Sequence, residues 1–144
     1  MKYLISIFLF ISTYPCLAGL PKFEIDFGIV GQDKRNELLV IEKTNRIPLR
    51  LKNTGFRFGF IFKSNVVYEA QLKVRFSSSP KNLSGNTDIA VIKNNTLTYP
   101  VVTRSGMWSH ISWFDDGDPT GMWEYQIYVN KKLYRTIQFE VYEE

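Results

Sequence analysis

The residues that could perform nucleophilic catalysis lie around the single histidine of this chain. His110 is flanked by Ser105, Ser109 and Ser112, and a serine becomes a nucleophile only when a correctly placed base removes its proton. None of these serines lies in the Gly-x-Ser-x-Gly pattern that exposes the nucleophile of many hydrolases. Because a triad is assembled by the fold and not by sequence adjacency, the pattern favours His110 as a surface or hydrogen-bonded strand residue. We predict no catalytic residues, no cofactor and no enzymatic activity.

An acidic segment, Asp115-Asp116-Gly117-Asp118, offers the groups most suited to binding a metal ion. Asp116 and Asp118 fit the first and third positions of a calcium loop, but the twelfth position, which requires a bidentate glutamate, is Ile127. Asp and Gly are also the usual residues of a tight turn. We therefore predict a turn that leads into a strand, and Asp116 and Asp118 remain the alternative calcium ligands.

Aromatic side chains could stack on sugar rings or on a partner's side chains. They make up 15% of the chain, although an all-β core also needs large rings to fill a thin interior. Trp108 and Trp113 have opposite parity, so they cannot both face one side of a regular strand. We expect at least one of them to be exposed. The rings that could stack on a ligand are Tyr99, Trp108, Trp113 and Tyr128, and we take Trp108, Trp113 and Tyr128 as candidate binding residues.

The final segment, 121–144, predicts a β-hairpin with a polar turn. Apolar residues alternate on each of its strands, as expected where one face is buried. The inward residues are Trp123, Tyr125, Ile127 and Val129 on the first strand and Leu133, Ile137, Phe139 and Val141 on the second. Arg135 breaks the alternation, which indicates a sheet margin or a bulge.

Short strands separated by turn residues recur along the rest of the chain, and no segment has a helical period. The candidate strand segments are 23–30, 38–41, 46–52, 56–63, 66–76, 89–92, 97–103 and 107–114. Pro48 indicates an edge strand or a strand start, and Gly59 indicates a bulge or a close backbone approach. The aromatic stripe of Phe56, Phe58, Phe60 and Phe62 is predicted to face the core, and segment 66–76 is predicted to be a central strand. We predict an all-β fold, an immunoglobulin-like antiparallel β-sandwich of about eight or nine strands.

The N-terminus predicts export. Lys2 precedes an apolar run over residues 3–13, and Cys16-Leu17-Ala18 provides small residues for cleavage. We assign 1–18 as a signal peptide and 19–144 as a single β-sandwich domain, periplasmic or secreted and without membrane contact after cleavage. An uncleaved signal anchor and a lipoprotein with lipidated Cys16 are the alternatives. The predicted mature chain has no cysteine, which favours a bacterial periplasm over a disulfide-stapled animal domain.

The charge balance argues against a nucleic-acid partner. The sequence has 18 Lys and Arg residues against 14 Asp and Glu residues, and no block of like charge stands out. A small positive excess of this kind is typical of soluble proteins and does not form the basic patch that binds phosphates.

Five short motifs carry a family resemblance. They are Asp26-Phe27-Gly28-Ile29, Arg46-Ile47-Pro48-Leu49, Phe58-Gly59-Phe60, Gly121-x-Trp123 and Phe139-Glu140-Val141. In this order the sequence resembles the bacterial domain-of-unknown-function family 3859. The resemblance implies an immunoglobulin-like sandwich and carries over no catalytic residues.

The expected function is that of a non-enzymatic module of the bacterial envelope that contacts another protein. Sheet edges and the loops at 77–88 and 115–120 are the expected contact surfaces. The alternative is a carbohydrate-binding module that uses exposed tryptophan or tyrosine rings.

Overall fold

The computed structural model describes residues 22–51, 55–81 and 91–144. These residues form eleven β-strands and no helix, arranged as two sheets of four and seven strands. The predicted signal peptide and Cys16 lie outside the described residues, as does part of the loop at 77–88. Within the described ranges, no helix is long and apolar enough to cross a bilayer.

The two sheets form an immunoglobulin-like sandwich, as predicted. The strands are β1 (Phe23–Gln32), β2 (Leu38–Glu42), β3 (Arg46–Pro48), β4 (Phe58–Ser64), β5 (Tyr68–Arg75), β6 (Val91–Lys93), β7 (Thr96–Thr98), β8 (Val102–Arg104), β9 (Met107–Ser112), β10 (Gly121–Val129) and β11 (Lys132–Tyr142). The smaller sheet has the order β2-β1-β4-β9. The larger has the order β3-β11-β10-β5-β7-β6, and β8 also pairs with β5.

The strand count exceeds the prediction partly because segment 97–103 forms two strands. β7 and β8 pair with different parts of β5 and are separated at Tyr99 and Pro100. Proline has no N–H to donate to a ladder. Strand β3 lies at the sheet edge, as Pro48 indicates, but it pairs with β11 in parallel. The other strand pairings among the described residues are antiparallel, as predicted.

Aromatic rings join the two sheets. Phe58, Phe60 and Phe62 of β4 are fully buried, which confirms the predicted inward stripe. The Phe60 ring lies 6.0 Å from that of Tyr125, and the Phe58 ring lies 6.3 Å from that of Trp123, both edge-on. The closing hairpin therefore supplies the opposing side of the core, as its alternation predicts.

The predicted inward face of the final strand is wrong at Leu133. A β-bulge opposite Ile127 inserts Tyr134 as an extra residue between Leu133 and Arg135. The Tyr134 ring lies 5.6 Å from that of Phe62, whereas Leu133 is 52% exposed. A shift of one residue exchanges the two faces of a strand, which explains the break at Arg135.

Two glycines allow the strands of the smaller sheet to approach closely. Gly28 and Gly59 pair across β1 and β4 with φ angles of 150° and 151°. A Cβ on Gly59 would overlap the carbonyl oxygen of His110, and one on Gly28 would overlap that of Glu42. The close approach predicted at Gly59 is therefore confirmed, and it fixes β4 against β9.

We expect Gly59→Ala to destabilise the protein strongly, because the new methyl group must displace the backbone of β9. The cost should be on the order of 3 kcal/mol or more in the free energy of unfolding, measured by urea denaturation. Gly106→Ala is the matched control. Gly106 has a φ of 68°, but a Cβ there meets no atom within 4 Å, so its cost should stay near 1 kcal/mol. Equal losses would contradict the steric explanation.

Candidate functional site

The candidate site lies along β9, the last strand of the smaller sheet. Strand β9 pairs with β4 in an unbroken antiparallel register that places His110 opposite Phe60. Because Phe60 faces the core, alternate residues of β9 do so as well. The inward residues are Trp108, His110 and Ser112, and the outward residues are Met107, Ser109 and Ile111.

One side of the β9 backbone is unpaired. The Ser64 N–H donates to the Gly106 carbonyl at 3.0 Å, which sets the phase of the ladder with β4. In antiparallel strands, hydrogen-bonded pairs alternate with non-bonded pairs. Three residues therefore direct their N–H and C=O groups away from β4: Met107, Ser109 and Ile111. In the part of the chain that the structure describes, no strand pairs with this side.

The inward polar residues of β9 form a chain of contacts with the larger sheet. His110 Nε2 lies 3.1 Å from Ser112 Oγ, which lies 3.0 Å from the Tyr125 hydroxyl. The centre of the imidazole also lies 6.0 Å from that of the Phe60 ring and 5.3 Å from that of the Tyr99 ring. Burial lowers the pKa of His110 to about 4, so the imidazole is neutral at physiological pH.

This arrangement is poorly suited to hydrolysis. It brings Ser112, one of the three serines near His110, to the histidine, but among the described residues no carboxylate bonds to the imidazole. A general base works best with a pKa near the working pH, whereas the pKa of His110 is about 4. The Ser112 hydroxyl also contacts Tyr125. His110, Ser112 and Tyr125 therefore satisfy one another's hydrogen-bonding groups at the edge of the core.

A cavity of about 230 Å³ opens beside the unpaired side of β9. Strand β9 and the 99–104 segment of the larger sheet line most of it, together with two apolar residues of β5. The lining residues are Ala70, Leu72, Tyr99, Pro100, Val102, Arg104, Trp108, Ser109 and His110. The Arg104 guanidinium carbon lies 5.9 Å from the centre of the Trp108 ring. The cavity thus combines aromatic surfaces with one cation.

The three candidate binding rings are not on one surface. Trp108 is only 7% exposed and packs edge-on against Phe60 at 4.9 Å, so its proposed role as an exposed platform is wrong. Trp113 is 52% exposed and directly follows β9, which confirms that one of the two tryptophans is exposed. Tyr128 lies in β10, on the outer face of the other sheet.

Tyr128 belongs to a polar row on the larger sheet. Its hydroxyl donates to Gln126 Oε1 at 3.3 Å, and the Gln126 amide donates to Glu124 Oε1 at 2.6 Å. Gln138 donates to the other Glu124 oxygen at 3.0 Å, which holds the pKa of Glu124 below its usual range. The Lys73 ammonium lies 4.9 Å from the centre of the Tyr128 ring. These groups are largely engaged with one another.

The acidic segment forms a turn, as predicted. The Asp118 N–H donates to the Asp115 carbonyl at 3.1 Å, and the Asp115 N–H donates to Asp118 Oδ2 at 2.8 Å. Burial raises the pKa of Asp118. Within the described ranges, no group of three acidic, histidine or cysteine side chains could hold a metal ion. The Asp118 carboxylate therefore closes the turn, and for Asp116 the structure gives no ligand set.

Sequence reasoning missed part of this site. The alternation of β9 could have shown that Trp108, His110 and Ser112 share a face. The contributions of Ala70 and Arg104 had no such signal, because they approach β9 only through the packing of the two sheets. Tyr99 was among the rings that could stack on a ligand, but its position beside β9 also depends on that packing. The cavity is a property of that packing.

Comparisons with known proteins agree with the architecture. A family model described as the PM0630 beta sandwich domain matches residues 25–142. Among solved structures, an immunoglobulin-like protein from Pseudomonas aeruginosa is similar, with a TM-score of 0.57, 14% identity, and coverage of 86% of this chain and 98% of that chain. This likeness shows the fold alone. The resemblance to family 3859 thus predicts the β-sandwich class correctly, but the family that matches is a different one.

A second structural similarity is weak. A β-glucosidase from Listeria innocua, solved with glucose, matches with a TM-score of 0.36 and 7% identity. The match covers 85% of this chain but only 16% of that enzyme. The search of curated proteins found no match.

We expect the His110 ring protons to titrate with a midpoint near pH 4 in the folded protein instead of near 6.5. Because the chain has one histidine, its proton NMR signals need no assignment by mutation. A midpoint at or above 6 would contradict the burial of the neutral ring.

The same shift makes stability depend on pH. Between about pH 6.5 and 4 the unfolded chain binds a proton at His110 that the folded protein does not. The stabilisation by neutral His110 is therefore complete above this window and is lost as the pH falls through it, by up to about 1.4 kcal/mol per pH unit. Urea denaturation across the window should show this slope, and the slope should be smaller in His110→Gln.

We expect loss of the hydroxyl group to change the stability of the protein differently at two buried tyrosines. The Tyr68 hydroxyl is buried and has no hydrogen-bond partner among the described residues, so Tyr68→Phe should be neutral or stabilising. Tyr125→Phe removes the contact with Ser112 and should cost about 1 kcal/mol. Thermal unfolding of both variants compares them directly, and a larger loss for Tyr68→Phe would contradict the assignment.

Proposed function

We propose that this chain, which belongs to the PM0630 beta sandwich domain family, is a non-enzymatic module that binds an extended segment of a partner protein along β9. The unpaired side of β9 carries this proposal. An exposed strand edge presents N–H and C=O groups that a second chain can pair with, and recognition by strand addition uses this geometry.

Edge strands usually carry features that prevent such pairing. Lysine, proline and inward charges are the common protective devices. Strand β9 reads Met-Trp-Ser-His-Ile-Ser and contains none of them, since its histidine is neutral at physiological pH. This edge is therefore open to pairing with another chain.

The surroundings of β9 are apolar, as expected for a contact surface. Trp113 and Met107 are each 52% exposed at the two ends of the strand. Val102, in the segment that faces it, is also exposed. Tryptophan is enriched among the residues that contribute most to binding, so Trp113 remains a candidate contact residue. A partner strand would cover these side chains.

The other edge of the same sheet is β2, which is also apolar, with Leu39 and Ile41 exposed. We favour β9 because the 230 Å³ cavity opens beside it and adds side-chain recognition to backbone pairing. The loop at 115–120 is a less favoured contact surface, since its Asp118 carboxylate is used to close a turn.

A carbohydrate ligand is the less favoured alternative. Sugar binding by stacking needs exposed rings on a common surface, whereas Trp113 follows β9 and Tyr128 lies on the other sheet. The proposed location is outside the cytoplasm, periplasmic or secreted, and rests on the leader pattern of residues 1–18.

Amide hydrogen exchange tests the proposal residue by residue. In the free protein, the amides of Met107, Ser109 and Ile111 should exchange rapidly, whereas those of Trp108 and His110, directed towards β4, should be protected. Peptides selected from a random displayed library should protect the three outward amides when they bind. Failure to select any peptide would count against the proposal, as would protection confined to β2.

Ser109→Pro is a second test of strand addition, because it removes one outward N–H without breaking the ladder to β4. We expect about a tenfold loss of peptide affinity, measured by calorimetry. Ser109→Ala keeps the N–H and should bind as the wild type does. Binding of soluble glycans without peptide binding would instead support the carbohydrate alternative.

A further inference from the structure

We infer that the cavity beside β9 receives one aromatic side chain of the bound segment, and that an acidic side chain two residues away, on the same face of that segment, pairs with Arg104. This inference rests on the proposed strand addition and deepens it, because it states which partner sequence the site selects.

The size of the cavity sets the size of its occupant. Its volume of about 230 Å³ is several times the ≈ 30 Å³ that a water molecule occupies in the liquid. It falls below the range of about 300–1,000 Å³ typical of sites for drug-sized ligands. One large side chain fits between these limits, whereas a cofactor does not.

The chemistry of the lining favours an aromatic ring. Trp108, Tyr99 and His110 provide three ring systems, and the His110 ring is neutral at physiological pH because burial lowers its pKa to about 4. Ala70 and Leu72 supply apolar surface from β5. Edge-to-face and offset contacts between rings add about 0.5–1.5 kcal/mol each beyond the burial of apolar area. An aliphatic side chain would not make these ring–ring contacts.

Arg104 supplies the charge selectivity. It lines the cavity and is exposed, and no ion pair of the described residues involves it. Its guanidinium lies near the face of Trp108 at 5.9 Å, where it can accept a carboxylate in a bidentate pair. A carboxylate two residues from the inserted ring, on the same inward face of the bound segment, meets this cation.

The position of the cavity matches the alternation of an added strand. Residues that pair directly across two strands point to the same face, so a partner residue opposite Trp108 or His110 points inward. Its two neighbours point outward, on the side of Met107 and Ser109. One inward side chain thus reaches the cavity while the backbone pairs with β9.

Synthetic peptides test the inference. A threonine-rich peptide with one central Phe and a Glu two residues to each side, on the same face of the strand, is the probe. Its controls replace the Phe by Ala or both Glu residues by Gln. The Phe peptide should bind about tenfold more tightly than the Ala peptide. The His110 ring protons should shift with the Phe peptide only. The preference for Glu over Gln should disappear in Arg104→Gln.

Val102→Phe fills the mouth of the cavity at an exposed position and should abolish the preference for Phe. Val101→Phe, at the neighbouring exposed residue outside the cavity lining, is the matched control and should keep it. If Phe and Ala peptides bind equally and both protect the outward amides of β9, the cavity inference is overturned and strand addition stands. If N-acetylphenylalanine shifts the His110 signals but no peptide protects β9, strand addition fails while the cavity binds an aromatic acid. If neither occurs, both fail.

Discussion

The packing of aromatic rings between the two sheets is the interaction on which this structure depends. No cysteine occurs in the described residues, so no disulfide joins the sheets there. The stripe of Phe58 and Phe60 on β4 meets Trp123 and Tyr125 on β10 instead. Each such ring pair is worth about 0.5–1.5 kcal/mol beyond its burial of apolar area. The sandwich therefore holds only while β4 and β10 keep their inward registers.

The glycine pair of the smaller sheet follows from the same requirement. Gly28 and Gly59 lie opposite each other in the middle of β1 and β4, and each leaves space for the backbone of the next strand. A side chain at Gly59 would push β9 outward and separate Trp108 and His110 from the ring layer. Because Gly59 has no side chain, β9 can lie close to β4, and this close approach fixes the position of the candidate site.

Much of the fold could be predicted from the sequence, because burial of one sheet face produces alternation that can be read directly. The central strand β5, the stripe on β4 and the closing hairpin follow from it. The break in alternation at Arg135 indicated a bulge or a sheet margin, and a bulge lies there. That Tyr134 is the residue that turns inward, and that the strand is broken at Pro100, could not be predicted, because a one-residue shift leaves composition unchanged and is decided by tertiary packing. The cavity was unpredictable for a related reason, since Arg104 and His110 meet only across sheets.

The β9 edge of the sandwich is where core packing is weakest, and it is also the edge to which we propose that a partner chain binds. Moving outward from β4 to β9, the inward residues change from phenylalanine to Trp108, His110 and Ser112, so the last strand presents polar groups to the core. These groups need partners, and Ser112 and Tyr125 satisfy each other at 3.0 Å. A strand that completed the core with large apolar residues would close the sandwich and leave no cavity. The polar margin keeps the side of the sandwich open, and the unpaired backbone of β9 lies along that opening.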